Sequence, residues 1–188
     1  MKIVAMLLVL GILVSCSGNS ETLKFDIDGD QEITILNLFD VTTEDEALNY
    51  GDGFSSVIQV DDVTVLFDTP YKDYVMDNGD SRMMQNIAIL EYQVEAVDIV
   101  YISHRHSKPG LVPFLEMNSD VELYLTSDID MTRTNERFAL DYYHDEPFKE
   151  IGNHIYTSGP MLGEKDGKEV IEQFMLIETE SGIIIVVG

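Results

Sequence analysis

Residues 97–102 form a short run that is apolar apart from Asp98, with Glu95 before it and His104 and His106 after it. Successive side chains of a strand point to opposite faces, so a run apolar at every position is buried on both of them. The rest of the chain must then supply a covering layer on each side. Strand signals rich in β-branched and aliphatic residues occur at residues 32–39, 55–59 and 63–67, with Val60-Asp61-Asp62 as the turn between the last two. A helix is predicted over residues 81–92, where Met83, Met84, Ile87 and Leu90 recur near helical spacing. Beyond the buried run come a short helix at 111–117, a strand at 121–125 and a mixed helix or loop at 130–143. Strands are predicted again at 155–157, 169–178 and 182–187, the last two joined by Glu180-Ser181-Gly182. Paired strands, helix, buried strand, helix and further strands suggest a layered α/β fold.

The amino terminus stands apart. After Met1 and Lys2, residues 3–14 are apolar, too few for the roughly 20 needed to cross a bilayer, and they read as an export signal. The run ends Leu13-Val14-Ser15-Cys16, which resembles the bacterial lipobox, cut before a cysteine that carries a diacylglyceryl group. An ordinary signal peptide with an incidental thiol is the alternative. Cys16 is the single cysteine of the chain, so no internal disulfide forms. Acyl chains on Cys16, worth about 0.8 kcal/mol per buried methylene, would hold the protein to a lipid membrane of the bacterial envelope, periplasmic or surface-facing. The expected division is a lipoprotein signal peptide at 1–15, lipidated Cys16 and a polar tether over 16–31, and a domain over 32–188.

With 11 Lys and Arg against 35 Asp and Glu, the 188 residues carry a formal net charge of −24. Such a field repels phosphate backbones, which excludes nucleic acid as a partner. Hydrophobic residues at 45% and charged residues at 24% fit a globular domain. Asp26, Asp28 and Asp30 around Gly29 invite comparison with a calcium loop. An EF-hand counted from Asp26 would need Gly and Glu where Gln31 and Asn37 stand, so a solvated turn is the better reading. The acidic stretch 43–52 reads as a solvated face.

Chemistry concentrates where the buried run ends, in Tyr101-Ile102-Ser103-His104-Arg105-His106-Ser107-Lys108-Pro109-Gly110-Leu111. A spacing of two puts His104 and His106 on one face of an extended chain, and neutral imidazole is a common metal ligand. One histidine capping the strand and the other solvated is the bland alternative.

This segment resembles the metallo-β-lactamase superfamily, whose signature is a buried strand running into Ser-His-x-His-x-Asp-His and then Gly-Leu. The resemblance extends to the Phe67-Asp68-Thr69 end of the early hairpin and to Asn86 with the helix around it. It also takes in Ile155-Tyr156-Thr157-Ser158-Gly159-Pro160 and the final hairpin at 174–188. The last two are similar to the branch of dihydropterin and ribofuranosylaminobenzene phosphate synthase relatives. It covers about residues 33–188 and implies a layered αββα fold of which the N-terminal portion is present. It further implies zinc ligated by His104 and His106, with Asp68 supporting them from behind, and attack of a metal-bound hydroxide on a phosphate ester, thioester or amide.

The departures from the family pattern carry equal weight. Lys108-Pro109 stands where the family has Asp-His, and Pro70 stands where it has Gly. The sequence ends at Gly188, just before the place of the family's Cys-Ser-His ligand. His144 and His154 lie in segments that match no family ligand. A catalytic zinc takes three protein ligands and a structural zinc four, so weak or no zinc binding and no catalytic residue are expected. Three readings follow: a degenerate, partial lipoprotein inactive by itself, half of a split hydrolase completed by another chain, or a non-catalytic surface binding lipoprotein. A second chain or self-association is expected to complete the fold, because half of a sheet sandwich leaves an apolar face in water.

Overall fold

The computed structural model describes residues 23–26, 31–71 and 81–188. The export signal, Cys16 and residues 27–30 and 72–80 lie outside them. Alternating aliphatic segments form an antiparallel meander of β1 (Leu23–Asp26), β2 (Glu32–Phe39), β3 (Ser55–Val60) and β4 (Val63–Phe67). The β3–β4 turn is Asp61-Asp62, with Asp61 in the left-handed region that Asp tolerates better than most residues (φ 52°). From β4 onward the sheet becomes parallel. Here β5 (Ile99–Tyr101), β6 (Glu122–Leu125) and β7 (Asp141–His144) are added in sequence, giving seven strands in the order β1 to β7. The three crossovers carry α1 (Arg82–Ile89), α2 (Leu111–Met117) and α3 (Thr132–Phe138).

One face of this sheet packs under the helices. Met83, Ile87, Leu111, Phe114 and Leu115 meet Leu38, Leu66, Val100, Ile102 and Leu123 in one core cluster. The other face packs on a second, antiparallel sheet. That sheet is built from β8 (Lys149–Gly152) and β9 (Ile155–Thr157). After an exposed hairpin of β10 (Met161–Lys165) and β11 (Lys168–Glu172) come its last members, β12 (Met175–Thr179) and β13 (Gly182–Val186), and its strand order is β13-β12-β9-β8. Ile33, Ile58, Val65, Phe67, Ile99 and Tyr101 meet Ile155, Met175 and Ile177 in this second core cluster. The expected two-faced burial is met in β5, where Val100 faces the helices and Ile99 and Tyr101 face the second sheet.

Across that inner layer Phe67, Tyr101, Tyr124 and Tyr143 occupy paired positions on β4 to β7. Their rings stack at 5.6, 6.4 and 5.0 Å. The Tyr101 hydroxyl donates to the Phe174 carbonyl (2.8 Å) and shares a hydrogen bond with Thr157 Oγ1 (2.9 Å), tying the two sheets together.

Several elements differ from the sequence expectation. The first helix starts at the Ser81 cap, whose Oγ accepts from Met84 N–H, but ends at Ile89 because Glu91 turns left-handed (φ 54°). The single strand expected at 169–178 is two strands, broken at Gln173-Phe174. Gln173 N–H donates to Ser103 O and its amide to Ile102 O, drawing this point of the chain onto the end of β5. Residues 130–143 resolve into α3 and β7, and β1 lies within the stretch read as a polar tether.

Candidate functional site

The parallel strands β4 and β5 end side by side, and their ends carry Asp68 and the Ser103–Ser107 loop. Asp68 takes a left-handed conformation (φ 58°) directly after β4, which turns its carboxylate back over the sheet edge. Its Oδ1 accepts from Ser103 N–H (2.7 Å) and its Oδ2 from Ser103 Oγ (2.6 Å). Burial pushes the Asp68 carboxyl up to about 7, against the opposing pull of the hydrogen bonds from Ser103 and Ser107.

His104 opens a short 3-10 turn (Arg105–Ser107) and is half-buried. Its Nδ1 lies 2.8 Å from Ser103 Oγ and 3.3 Å from Ser107 Oγ. A serine hydroxyl has one hydrogen, so while Ser103 donates to ionised Asp68 only its lone pairs face the ring. Nδ1 then carries the imidazole proton and Nε2 is left as an acceptor. Burial lowers the His104 pKa, as does His106, against the acidic Glu172 and Asp128. A backbone bridge between His104 and Glu172 fastens the base of the β10–β11 hairpin to the site.

His106 is exposed. Its ring stands edge-on to His104 at 5.4 Å and to Tyr71 at 5.1 Å. The 69–71 turn beneath it is gripped from both sides. Thr69 donates through N–H and Oγ1 to Ser107 O, and Gly53 (φ 126°) packs so closely that a Cβ there would collide with Pro70 Cα and Tyr71 N. Lys108 Nζ donates to the Asp130 carbonyl. Gly188 lies over the Asp68–Ser103 pair, where a Cβ would strike Ser103 Oγ and Asp68 Oδ2.

The donor chemistry decides how far this arrangement suits zinc. Two imidazoles on one tetrahedral ion would place their ring centres roughly 5 Å apart, so the 5.4 Å spacing of His104 and His106 suits a shared cation. The number of donors does not suit a catalytic centre. Among the described residues no third His, Cys, Asp or Glu joins the pair, and both Asp68 oxygens are taken up by Ser103. His144 sits on β7, and exposed His154 lies 3.9 Å from Glu178 on the second sheet. Sequence reasoning placed Asp68, His104 and His106 at one site but missed the clamp of Ser103 and Ser107, hydroxyls one residue before and three after His104. That spacing around the first histidine was the available signal. Gln173 and Glu172 had none, since a distant segment brings them.

No protein-family model matches the sequence, and no curated protein matches it. Solved structures do. YhfI from Bacillus subtilis, a metallo-β-lactamase fold protein, superposes with a TM-score of 0.53 at 12% identity, over 84% of this chain and 62% of its own. The fold is that of the metallo-β-lactamases. A probable metal-dependent hydrolase from Staphylococcus aureus is similar over 86% of this chain and 73% of its own (TM-score 0.52, 12% identity). The short form of human tRNase Z is similar over 82% and 68% (TM-score 0.52, 12% identity). The chain therefore spans about three fifths of the length of YhfI. Within the metallo-β-lactamase fold of this chain, Asp68 and the His104-x-His106 loop sit at the ends of adjacent parallel strands. The αββα expectation is met in its first three layers: helices, the seven-stranded sheet and the four-stranded sheet.

Proposed function

We propose that this chain is a lipid-anchored protein of the bacterial envelope whose metallo-β-lactamase fold domain does not, with these residues alone, form a hydrolytic zinc centre. The observation that carries the reading is the donor set: two imidazoles, one of them tied through Nδ1 to serine hydroxyls, with no third ligand among the described residues. A water lowered to the pKa of about 7 needed for attack at neutral pH takes a zinc held by three protein groups. Metal analysis of the purified chain tests this. Zinc below about one ion per ten chains is expected, with no gain in hydrolysis of a phosphodiester or ester on adding zinc. Stoichiometric zinc that disappears in His104→Ala would overturn it.

A second reading has its own support. The pair is spaced for a shared cation, and the chain covers 62% of the length of YhfI. On that reading the third donor comes from outside the described residues, and the hydrolase is assembled from two pieces. Zinc binding and esterase activity that appear only on adding the completing piece would decide for it.

Anchoring rests on Leu13-Val14-Ser15-Cys16. Radiolabelled palmitate should be incorporated by the full chain and not by Cys16→Ala. Equal labelling of both would leave an ordinary export signal.

A further inference from the structure

The bridge between His104 and Glu172 belongs to a longer row. Glu172 pairs with His104 on one side and with Met161 of β10 on the other, both antiparallel. Directly paired residues project to the same face with their β-carbons roughly 5 Å apart, so His104, Glu172 and Met161 stand side by side on one face. The row is fixed at its root. Gln173 N–H donates to Ser103 O (2.8 Å) and its amide to Ile102 O (2.9 Å). Ser158 N–H donates to Phe174 O, and Ser158 Oγ accepts from Phe174 N–H (both 2.9 Å). His104 and Met161 line one cavity of about 50 Å³, together with Glu172, Gln173 and Phe174. Such a volume takes an ion or a water and is far below the several hundred Å³ of an organic ligand's pocket.

The donors around this cavity are soft. With its Nδ1 held by serine hydroxyls, His104 offers Nε2, and the His106 ring stands 5.4 Å from it. Met161 is 45% exposed and belongs to neither core cluster, so its thioether is not used in packing. Zinc takes its protein ligands from Cys, His, Asp and Glu, and a thioether adds nothing to its donor count. Monovalent copper selects thioether sulfur and accepts imidazole beside it. Its single charge also costs less to desolvate than a double one, and the Glu172 carboxylate in the middle of the row offsets it. We propose that His104, His106 and Met161 form a binding site for monovalent copper, with Glu172 beside it as counter-charge. The inference rests on the reading above that the histidine pair is not a hydrolytic zinc centre: the metal of the fold family does not fit these donors, and a softer one does.

The test is an anaerobic titration of the purified full chain with the coloured Cu(I)–bicinchoninate complex, whose absorbance falls as the ion is handed over. Uptake should level off at about one Cu(I) per chain. Met161→Leu and, separately, His106→Ala should weaken it by about tenfold or more while leaving the circular dichroism melt in place. Met117→Leu, at an exposed methionine of α2, should change nothing. Absence of uptake, or uptake by Met161→Leu equal to the parent's, would overturn the proposal. So would equal weakening by Met117→Leu, because scattered surface thioethers would then hold the ion. A roughly tenfold excess of zinc should leave Cu(I) uptake unchanged. Stoichiometric zinc in place of copper would sink both the reading of the pair and this proposal, whereas a chain that takes up neither metal would sink this proposal alone.

Discussion

The seven-stranded and four-stranded sheets are built from similar aliphatic strands, yet their surroundings are not alike. Every residue of β5 is buried, because helices lie on one side of it and the second sheet on the other. In β13 the burial alternates, with Ile184 and Val186 half-buried toward the core and Ile183 and Ile185 open to solvent. A strand covered on both sides can hold a buried carboxylate and a pair of histidines at its end with little freedom. A strand covered on one side is a surface. The candidate site accordingly sits at the ends of interior strands of the first sheet, whereas the back of the second sheet is surface among the described residues.

The largest effect should come from the layer the sheets share. Ile177 on β12 is fully buried between them. Ile177→Ala should lower unfolding free energy by up to roughly 4 kcal/mol, read from urea unfolding. A loss near zero would mean that the sheets do not close on each other there. Next in size is the price of burial at Asp68. With its pKa near 7 in the fold against an ordinary 3.8, the native state keeps a proton that the unfolded chain has released. Stability must therefore fall as pH rises between those values and level off above about 7, by an amount on the order of 4 kcal/mol. Asp68→Asn should flatten that fall relative to the parent when urea midpoints are followed from about pH 4 to about pH 8. Parallel profiles for the two proteins would show that Asp68 is not enclosed.

Much of the first sheet was legible because local pattern and final environment agree there. The run ending at Ile102 is apolar on both faces and is covered on both. The Asp61-Asp62 turn joins β3 and β4 as expected, and residues 111–117 form α2 as read. The second sheet was less legible. Its β8, with sequence Lys-Glu-Ile-Gly, has no alternation to detect, and β10 is exposed along its whole length. The break at Gln173 follows from hydrogen bonds to Ile102 and Ser103, about 70 residues away in sequence, which no local rule could anticipate. For the same reason the motif that names Asp68, His104 and His106 gives no sign of Gln173 or of the overlying Gly188, whereas the hydroxyls of Ser103 and Ser107 had a local signal in their spacing around His104.

Smaller effects separate the two sheets at the level of single groups. Tyr101→Phe removes the hydroxyl that joins Phe174 O and Thr157 Oγ1 across the layer, and should cost about 1–2 kcal/mol. No cost in urea unfolding would imply that water bridges the sheets instead.

The smallest effect is the most informative about the outer face. Ile184 and Ile185 are neighbours on β13 with the same side chain, so propensity and chain entropy cancel between them and only their surroundings differ. Ile184 packs against the core cluster shared by the sheets, whereas Ile185 is 45% exposed. Ile184→Ala should therefore cost about 1–2 kcal/mol, and Ile185→Ala no more than about 0.5 kcal/mol, in urea unfolding of the chain by itself. Equal losses would mean that both faces of β13 are covered in solution.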